Sequence, residues 1–262
     1  MSHRPNSAKP SPYNCSTCNR YEGSQRTRPE FDEYAAGGYS AGMENRAKRL
    51  AGQDAAVFID LKVSWLMEDL KRHPLDGGES TRVLDYGCGT GLFLRRLRHF
   101  NFSGTMCGCD PSSGMLEQAR GGWRTVAPEF VHFDGQHLPY SDGSFNLVIA
   151  CAVLHHIPVT ERGAVYREIT RVLTVGGRLC VFEHNPWNPI TRWVVAHTPI
   201  DRDAVLLTAR EVREGMRGAG LTPARTANMM FVPPRFRWAW RFEHYASRIP
   251  FGGQYATVAD KR

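Results

Sequence analysis

The feature that most constrains this chain is a strand that breaks into a helix through glycines. Thr81-Arg82-Val83-Leu84-Asp85-Tyr86 reads as a strand, glycines stand at 87, 89 and 91, and a helical run with Leu92, Phe93, Leu94 and Leu97 follows. The pattern recurs. Thr105 to Cys109 is a short strand ending at Asp110, Ser112 to Arg120 a helix, and Glu129 to Phe133 a strand ending at Asp134. Phe145 to Cys151 contains the continuous apolar run Leu147-Val148-Ile149 of a strand buried on both faces. Its successor places Val165, Ile169, Val172 and Leu173 on one helical stripe, closed by Gly176-Gly177, before a fifth strand, Arg178 to Glu183. Strands alternating with helices at this spacing predict an α/β fold whose parallel sheet is covered by helices on both faces. In such sheets ligands sit at the carboxyl ends of the strands.

Flanking segments extend this frame. Phe58, Leu61, Trp65 and Leu66 form an apolar stripe within Asp54 to Leu70, predicting an amphipathic helix ahead of the first strand. After Glu183 a segment rich in Pro and Trp, His184 to Asp203, leads to a helix opened by the capping box Thr208 and Glu211 and stopped at Gly220. Pro223 to Val232 and Gly253 to Ala259 supply two last strands, for seven in all. Residues 1–30 hold Pro, Ser, Asn and Arg with almost no aliphatic side chain, predicting a disordered polar tail ahead of one domain over 31–262. Arg4, Lys9, Arg20, Arg26 and Arg28, against Glu22 and Glu30, give this tail +3 of the net charge of +7, leaving a mildly basic body. Cys15 and Cys18 form a C-x-x-C pair without the second pair that a zinc site needs, so no metal is expected. Seven scattered cysteines read as reduced thiols. With no apolar stretch of spanning length and no apolar core in the first ten residues, a cytoplasmic protein without a membrane span is expected.

Glycines at a strand-to-helix turn let a ligand lie against the backbone. A dinucleotide fingerprint needs G-x-G-x-x-G, but here the third glycine comes early, at 91, and position 92 is Leu. No Lys stands beside the turn as a Walker loop requires. Asp110, at the end of the second strand, is placed to accept from both hydroxyls of a ribose, and Asp134, at the end of the third, from an exocyclic amine. A glycine loop and acids at three consecutive strand ends suit an adenosine without phosphates.

On these residues the chain resembles the class I S-adenosylmethionine-dependent methyltransferases, in the branch that includes the ubiquinone and menaquinone biosynthetic enzymes. The resemblance spans 31–262 and rests on Val83 to Gly91, Gly108-Cys109-Asp110-Pro111-Ser112 with Met115, Asp134-Gly135-Gln136 with Leu138-Pro139-Tyr140, Phe145 to His156, and Leu173 to Glu183. It implies a Rossmann-like, mostly parallel seven-stranded sheet, with a helical flap over 31–78 and a core over 79–262. Lid elements are expected near 184–205 and 233–250. It also implies that S-adenosyl-L-methionine is the cofactor and S-adenosyl-L-homocysteine the product. Gly87 and Gly89 would approach the methionine part, and Cys88 and Gly91 would belong to the same cofactor-binding turn, Cys88 with no chemical role. Asp85 would orient the turn or hold the amino group, Asp110 with Pro111 would take the ribose, and Met115 would pack on the adenine. Asp134, Gly135 and Gln136 would read the adenine edge, and Cys151 would face the methionine end.

Methyl transfer from a sulfonium is an in-line displacement in which positioning and water exclusion do most of the work. A base is needed only where the acceptor must lose a proton. His155 and His156 follow the fourth strand and His184 the fifth, so these are the candidate catalytic groups. Glu183 and Asn185 in the same mouth, Tyr34 and Tyr39 in the flap, and Trp238 in the aromatic and Arg-rich insert 236–242 are candidate acceptor contacts. Glu183 is equally suited to closing the strand on backbone amides. The expected activity is methylation of an oxygen or nitrogen of a small-molecule acceptor by a monomer or homodimer, with no nucleic acid partner. The alternatives are an RNA methyltransferase, disfavoured by the lack of an Asn/Asp-Pro-Pro-aromatic or Pro-Cys motif, and a non-catalytic S-adenosylmethionine-binding protein. A nicotinamide dehydrogenase is disfavoured by the glycine spacing.

Overall fold

A computed structural model describes residues 55–75, 80–123, 126–232, 243 and 245–262. Tyr34, Tyr39, Trp238, the Cys15/Cys18 pair, the tail over 1–30 and most of the insert at 233–250 lie outside the described residues, as does the flap before Ala55.

Seven strands form one sheet: β1 (Arg82–Tyr86), β2 (Thr105–Asp110), β3 (Glu129–His132), β4 (Phe145–Cys151), β5 (Leu173–His184), β6 (Leu221–Met229) and β7 (Gln254–Lys261), in the order β3-β2-β1-β4-β5-β7-β6. The first five pair in parallel, while β7 runs antiparallel between β5 and β6. The chain reverses its walk across the sheet between β1 and β4, which opens a crevice at their carboxyl ends. Side chains alternate through the sheet. Leu84, Val148, Ala150, Leu179 and Val181 pack into a core on one face. Val83, Leu147, Ile149, Cys180 and Phe182 pack into a second core on the other. This double burial explains why the central strands are apolar without a polar face. The five described cysteines at 88, 107, 109, 151 and 180 are free thiols.

The helices are α1 (Ala55–Arg72), α2 (Leu92–His99), α3 (Ser113–Arg120), α4 (Val159–Val172), α5 (Pro189–Ala196) and α6 (Ala209–Gly218). Two expectations change. Gly176-Gly177 does not close α4, which ends at Val172; the pair lies inside β5, where the register with β4 shifts between Phe145 and Leu147. Gly176, at φ 77°, takes a left-handed conformation there. The Pro- and Trp-containing segment after β5 is in part α5, which Asn188 caps by accepting from the Thr191 N–H. Its Pro189 occupies the first turn, where a proline's missing N–H has no intrahelical partner to lose. The capping box at Thr208 and Glu211 is present as expected.

Buried charges dock α1. Arg96 of α2 grips Asp60 through two hydrogen bonds, of 2.5 and 2.8 Å. Farther along, Asp69 is 1% exposed and accepts from Arg178 at 2.8 Å and Arg225 at 3.1 Å. Among the described residues, no helix is long and apolar enough to cross a membrane. Because Asp69 is buried and pairs with the buried Arg178, which also holds Asp260, and with the part-exposed Arg225, Asp69→Ala is expected to cost about 3 kcal/mol of unfolding free energy. Urea denaturation checks this, and a loss below about 1 kcal/mol would show that the arginines find water instead.

Candidate active site

The carboxyl ends of β1, β2 and β4, together with α1, α5 and Met230–Val232, enclose one cavity of about 620 Å³. That volume lies within the range of small-molecule and cofactor sites. Its floor is the turn after β1. Gly87 and Cys88 donate their N–H groups to Cys109 O of β2 at 2.8 and 2.9 Å, so two strands share the turn. Gly87 has φ 70°, and a Cβ there would lie 2.6 Å from Val153 Cγ2. Gly89 has φ 51°, and a Cβ on it would meet nothing within 4 Å, because that side faces the cavity. Gly91 differs from the expectation. It caps α2, a Cβ there would press on Phe130 and Ala119, and it does not line the cavity, so it shapes the turn from behind.

Two acids lie against this turn. Asp110 is buried, with Oδ2 accepting from Gly89 N–H at 2.7 Å and Oδ1 from Ser112 N–H at 2.9 Å. Its two oxygens thus hold backbone amides of the turns after β1 and β2, and Asp110 itself lines the cavity. Asp85 is 1% exposed and lines the cavity, and among the described residues its Oδ2 has no hydrogen-bond partner. Burial, and then the charge of Asp110, push its carboxyl well above the usual range. An unpaired buried acceptor facing a cavity fits a cationic ligand group. Pro111, Met115, Gly135, Gln136 and Cys151 also line the space, and Cys88 does so from a buried position. Asp134 lines it too, but Oδ1 already accepts from the Gln136 and His137 N–H groups, both at 2.7 Å, and Oδ2 bonds the His137 ring at 2.8 Å. Its carboxylate therefore folds its own loop and keeps limited capacity for an adenine edge.

At the far end of the cavity stand the three histidines. His155 is 1% exposed, and its Nδ1 is 2.5 Å from Glu183 Oε2. Glu183 Oε1 accepts from the N–H groups of Val153 and Leu154, at 3.1 and 2.8 Å. Against the opposing effect of burial, Glu183 and Asp201 raise the His155 pKa, and His155 in turn holds Glu183 below the usual carboxylate range. Burial and the neighbouring His155 lower the pKa of His184, whose Nδ1 is 3.1 Å from Gln254 Nε2. His156 is only partly buried, and its Nε2 is 3.4 Å from Asp201 Oδ1.

Two candidate acceptor contacts move out of the site. Glu183 is buried, does not line the cavity, and spends its oxygens on the turn after β4, so it positions rather than binds. Asn185 is also buried and away from the cavity. Its amide donates to Pro250 O and Gly252 O, both at 2.8 Å, and its Oδ1 accepts from Trp187 N–H at 3.0 Å, tying the β5 loop to the approach of β7. The cavity lining also holds ionisable residues that the sequence reading did not single out, among them Lys62, Glu161 and Asp201. Lys62 is 3% exposed and donates to Cys151 Sγ at 3.3 Å. Its signal was a lysine within the apolar stripe of α1, between Leu61 and Trp65. Asp201 is brought in by a short 3-10 turn, Pro199–Asp201, that carries no motif.

Removing the Glu183 carboxylate would leave two buried N–H groups and a buried imidazole without their acceptor. Glu183→Ala is thus expected to cost about 3 kcal/mol of stability in urea unfolding. A cost below about 1 kcal/mol would mean that water replaces it and that the turn does not depend on it.

A family model described as a methyltransferase domain matches residues 84–181, from β1 through most of β5. The malonyl-[acyl-carrier protein] O-methyltransferase of Legionella pneumophila is 42% identical over 100 residues, 37% of this chain and 34% of that protein. The 27-O-demethylrifamycin SV methyltransferase of Amycolatopsis mediterranei is 31% identical over 189 residues, covering 65% of this chain and 64% of that one. The chain thus spans about a third of the first of these relatives and about two thirds of the second. Among solved structures, a chain from the complex of the Haloferax volcanii Trm112 methyltransferase activator with a methyltransferase superposes with a TM-score of 0.59 at 24% identity, covering 88% of this chain and 97% of that one. Matched sequence, sheet order and glycine-floored crevice agree, and the chain carries a class I S-adenosylmethionine-dependent methyltransferase domain.

Proposed function

We propose that this protein transfers the methyl group of S-adenosylmethionine to an oxygen or nitrogen of a small-molecule acceptor bound in the same cavity. The observation that carries the reading is the division of that cavity. One half is a backbone cradle with two acids, and the other sets apolar side chains beside a cluster of histidines and Asp201, with Asn188, Thr191, Thr198 and Gln254 also in its lining. In the first half, Asp110 at the end of β2 takes the ribose hydroxyls and Met115 packs against the adenine. The unpaired Asp85 Oδ2 takes the cationic amino group of the methionine part. When bound, S-adenosylmethionine supplies a methyl group already activated on a sulfonium, so the protein has to position the acceptor and exclude water.

The acceptor half is walled by Ile190, Val194, Ile200, Phe231 and Val232, with His155, His156, His184 and Asp201 clustered on one side. Apolar walls with a few convergent polar groups fix the orientation of a compact organic molecule. His156 and Asp201, side by side on the chamber wall, form the part of the patch that faces the acceptor's hydroxyl or amine. His155 is held between Glu183 and Asp201 and positions that patch. The relatives that act on a malonyl-carrier thioester and on a rifamycin favour a small organic acceptor. The likeness to a probable tRNA methyltransferase 9B of Mus musculus, 34% identical over 129 residues and 27% of that protein, makes RNA the alternative acceptor.

Calorimetry and turnover with the full chain test the reading together. Asp110→Ala is expected to weaken S-adenosylhomocysteine binding by about 10- to 100-fold, the worth of hydrogen bonds to a charged group. His156→Ala is expected to leave that affinity within about twofold while slowing methylation of a responsive acceptor by about 100-fold. Unchanged cofactor affinity in the first variant would remove the ribose assignment, and unchanged turnover in the second would remove the polar patch from the chemistry.

A further inference from the structure

The polar patch at the acceptor end holds an arrangement that methyl transfer alone does not account for. His155 Nδ1 is engaged by Glu183, which fixes the ring and leaves Nε2 as the atom turned toward Asp201. Nε2 is buried, and among the described residues it makes no hydrogen bond of normal length, its contact with Asp201 Oδ1 being stretched to 3.5 Å. His156 Nε2 comes within 3.4 Å of the same Oδ1. The three ligand atoms, one from each residue, all lie within 4.8 Å of one another.

Ligand atoms about 2.0–2.2 Å from a shared zinc, at tetrahedral angles, stand about 3.3–3.6 Å apart. The two separations to Asp201 fall in that window. A carboxylate that orients a histidine through Nδ1 and frees Nε2 is also the usual support of a metal-bound imidazole, and Glu183 is placed to serve in that way. The three groups come from two rigid pieces. One is the 3-10 turn Leu154–His156, which the Glu183 carboxylate ties to the end of β5. The other is the 3-10 turn Pro199–Asp201, whose continuation is bound back by the hydrogen bond from Val205 N–H to His155 O at 2.9 Å. Two imidazoles and one carboxylate suit a divalent transition cation and not magnesium, which prefers an all-oxygen shell.

We propose that His155 Nε2, His156 Nε2 and Asp201 Oδ1 form a site for a divalent transition cation such as Zn²⁺, with its remaining coordination positions opening into the acceptor chamber. All three residues line that chamber. Resting on the acceptor half assigned above, the site selects acceptors with an oxygen or nitrogen able to bind the cation. His184 stands beside the site, its ring centroid 5.2 Å from that of His155, and is not one of the ligands.

Metal-stripped full-length protein is titrated with Zn²⁺ in competition with a chromophoric chelator, and separately with Co²⁺ followed by absorption. One equivalent of each is expected to bind. The cobalt form should show visible d–d bands without the near-ultraviolet thiolate band that sites at Cys15, Cys18 or the other cysteines would give. His156→Gln and Asp201→Asn should each weaken binding by about 100-fold or more, and Glu183→Gln by about 10- to 100-fold. Each variant's affinity for S-adenosylhomocysteine is measured alongside as a check on folding. His156→Gln, at a partly exposed position, is the variant least able to disturb the core. No binding at 100 μM metal, wild-type affinity in the folded His156→Gln protein, or a persistent thiolate band would each overturn the site. Any of these with cofactor binding intact would leave the methyltransferase reading standing, whereas loss of cofactor binding in the wild type would sink that reading alone.

Discussion

One buried carboxylate, Glu183 at the end of β5, fastens the tips of two neighbouring strands and thereby sets the shape of the mouth above them. It accepts the N–H groups of Val153 and Leu154 on one oxygen and the His155 ring on the other. Burying a carboxylate costs several kcal/mol unless hydrogen bonds and an opposite charge offset it, and here three donors do so. The turn it holds needs holding. Ala152, just after β4, sits at φ 58°, a left-handed conformation that costs a residue with a Cβ about 1–2 kcal/mol. Its N–H is kept on Phe182 O at 2.8 Å, and the Glu183 carboxylate clamps the next two amides. Strain at a cavity wall is tolerated where the surroundings overdetermine it.

From this clamp the two halves of the cavity follow. On the β1 and β2 side the walls are backbone, because glycines 87 and 89 bring the main chain to the surface and Asp110 holds their loop from below. On the β4 and β5 side the walls are side chains, because the strands end in ionisable residues and the returning chain from α5 adds Asp201. A helix closes the top, and the charges that seat it, Asp60 with Arg96 and Asp69 with Arg178 and Arg225, lie away from the cavity. Lys62 is the cationic side chain that this helix contributes to the cavity lining. Its ammonium faces Cys151 at the boundary between the two halves.

What could be read from the sequence was what local chemistry dictates. Gly87 and Gly89 are required wherever a chain turns sharply against a ligand, and Asp110 ends a strand whose neighbour is that turn. Apolar runs such as Leu147-Val148-Ile149 mark the centre of a parallel sheet regardless of context. What could not be read depended on distant partners. Gly176-Gly177 looks like a helix stop until β5 is seen to begin at Leu173 and bulge against β4. Pro189 looks like a breaker until Asn188 is seen to cap a helix that starts there. Glu183 and Asn185 carry the same polar groups whether they face a substrate or satisfy a turn, and only the fold shows that both are spent internally. Asp201 lies seventeen residues past His184 in a segment without periodicity, so nothing local brings it to the histidines.

The central claim is that one crevice holds S-adenosylmethionine by its ribose and amino group, with the methyl directed at the histidine patch. A crystal structure of the complex with S-adenosylhomocysteine tests this most directly. The account predicts ribose hydroxyls on Asp110, the amino group on Asp85 Oδ2, and the sulfur turned toward the chamber lined by His156. Density for the nucleoside elsewhere, or a sulfur facing away from that chamber, would contradict it.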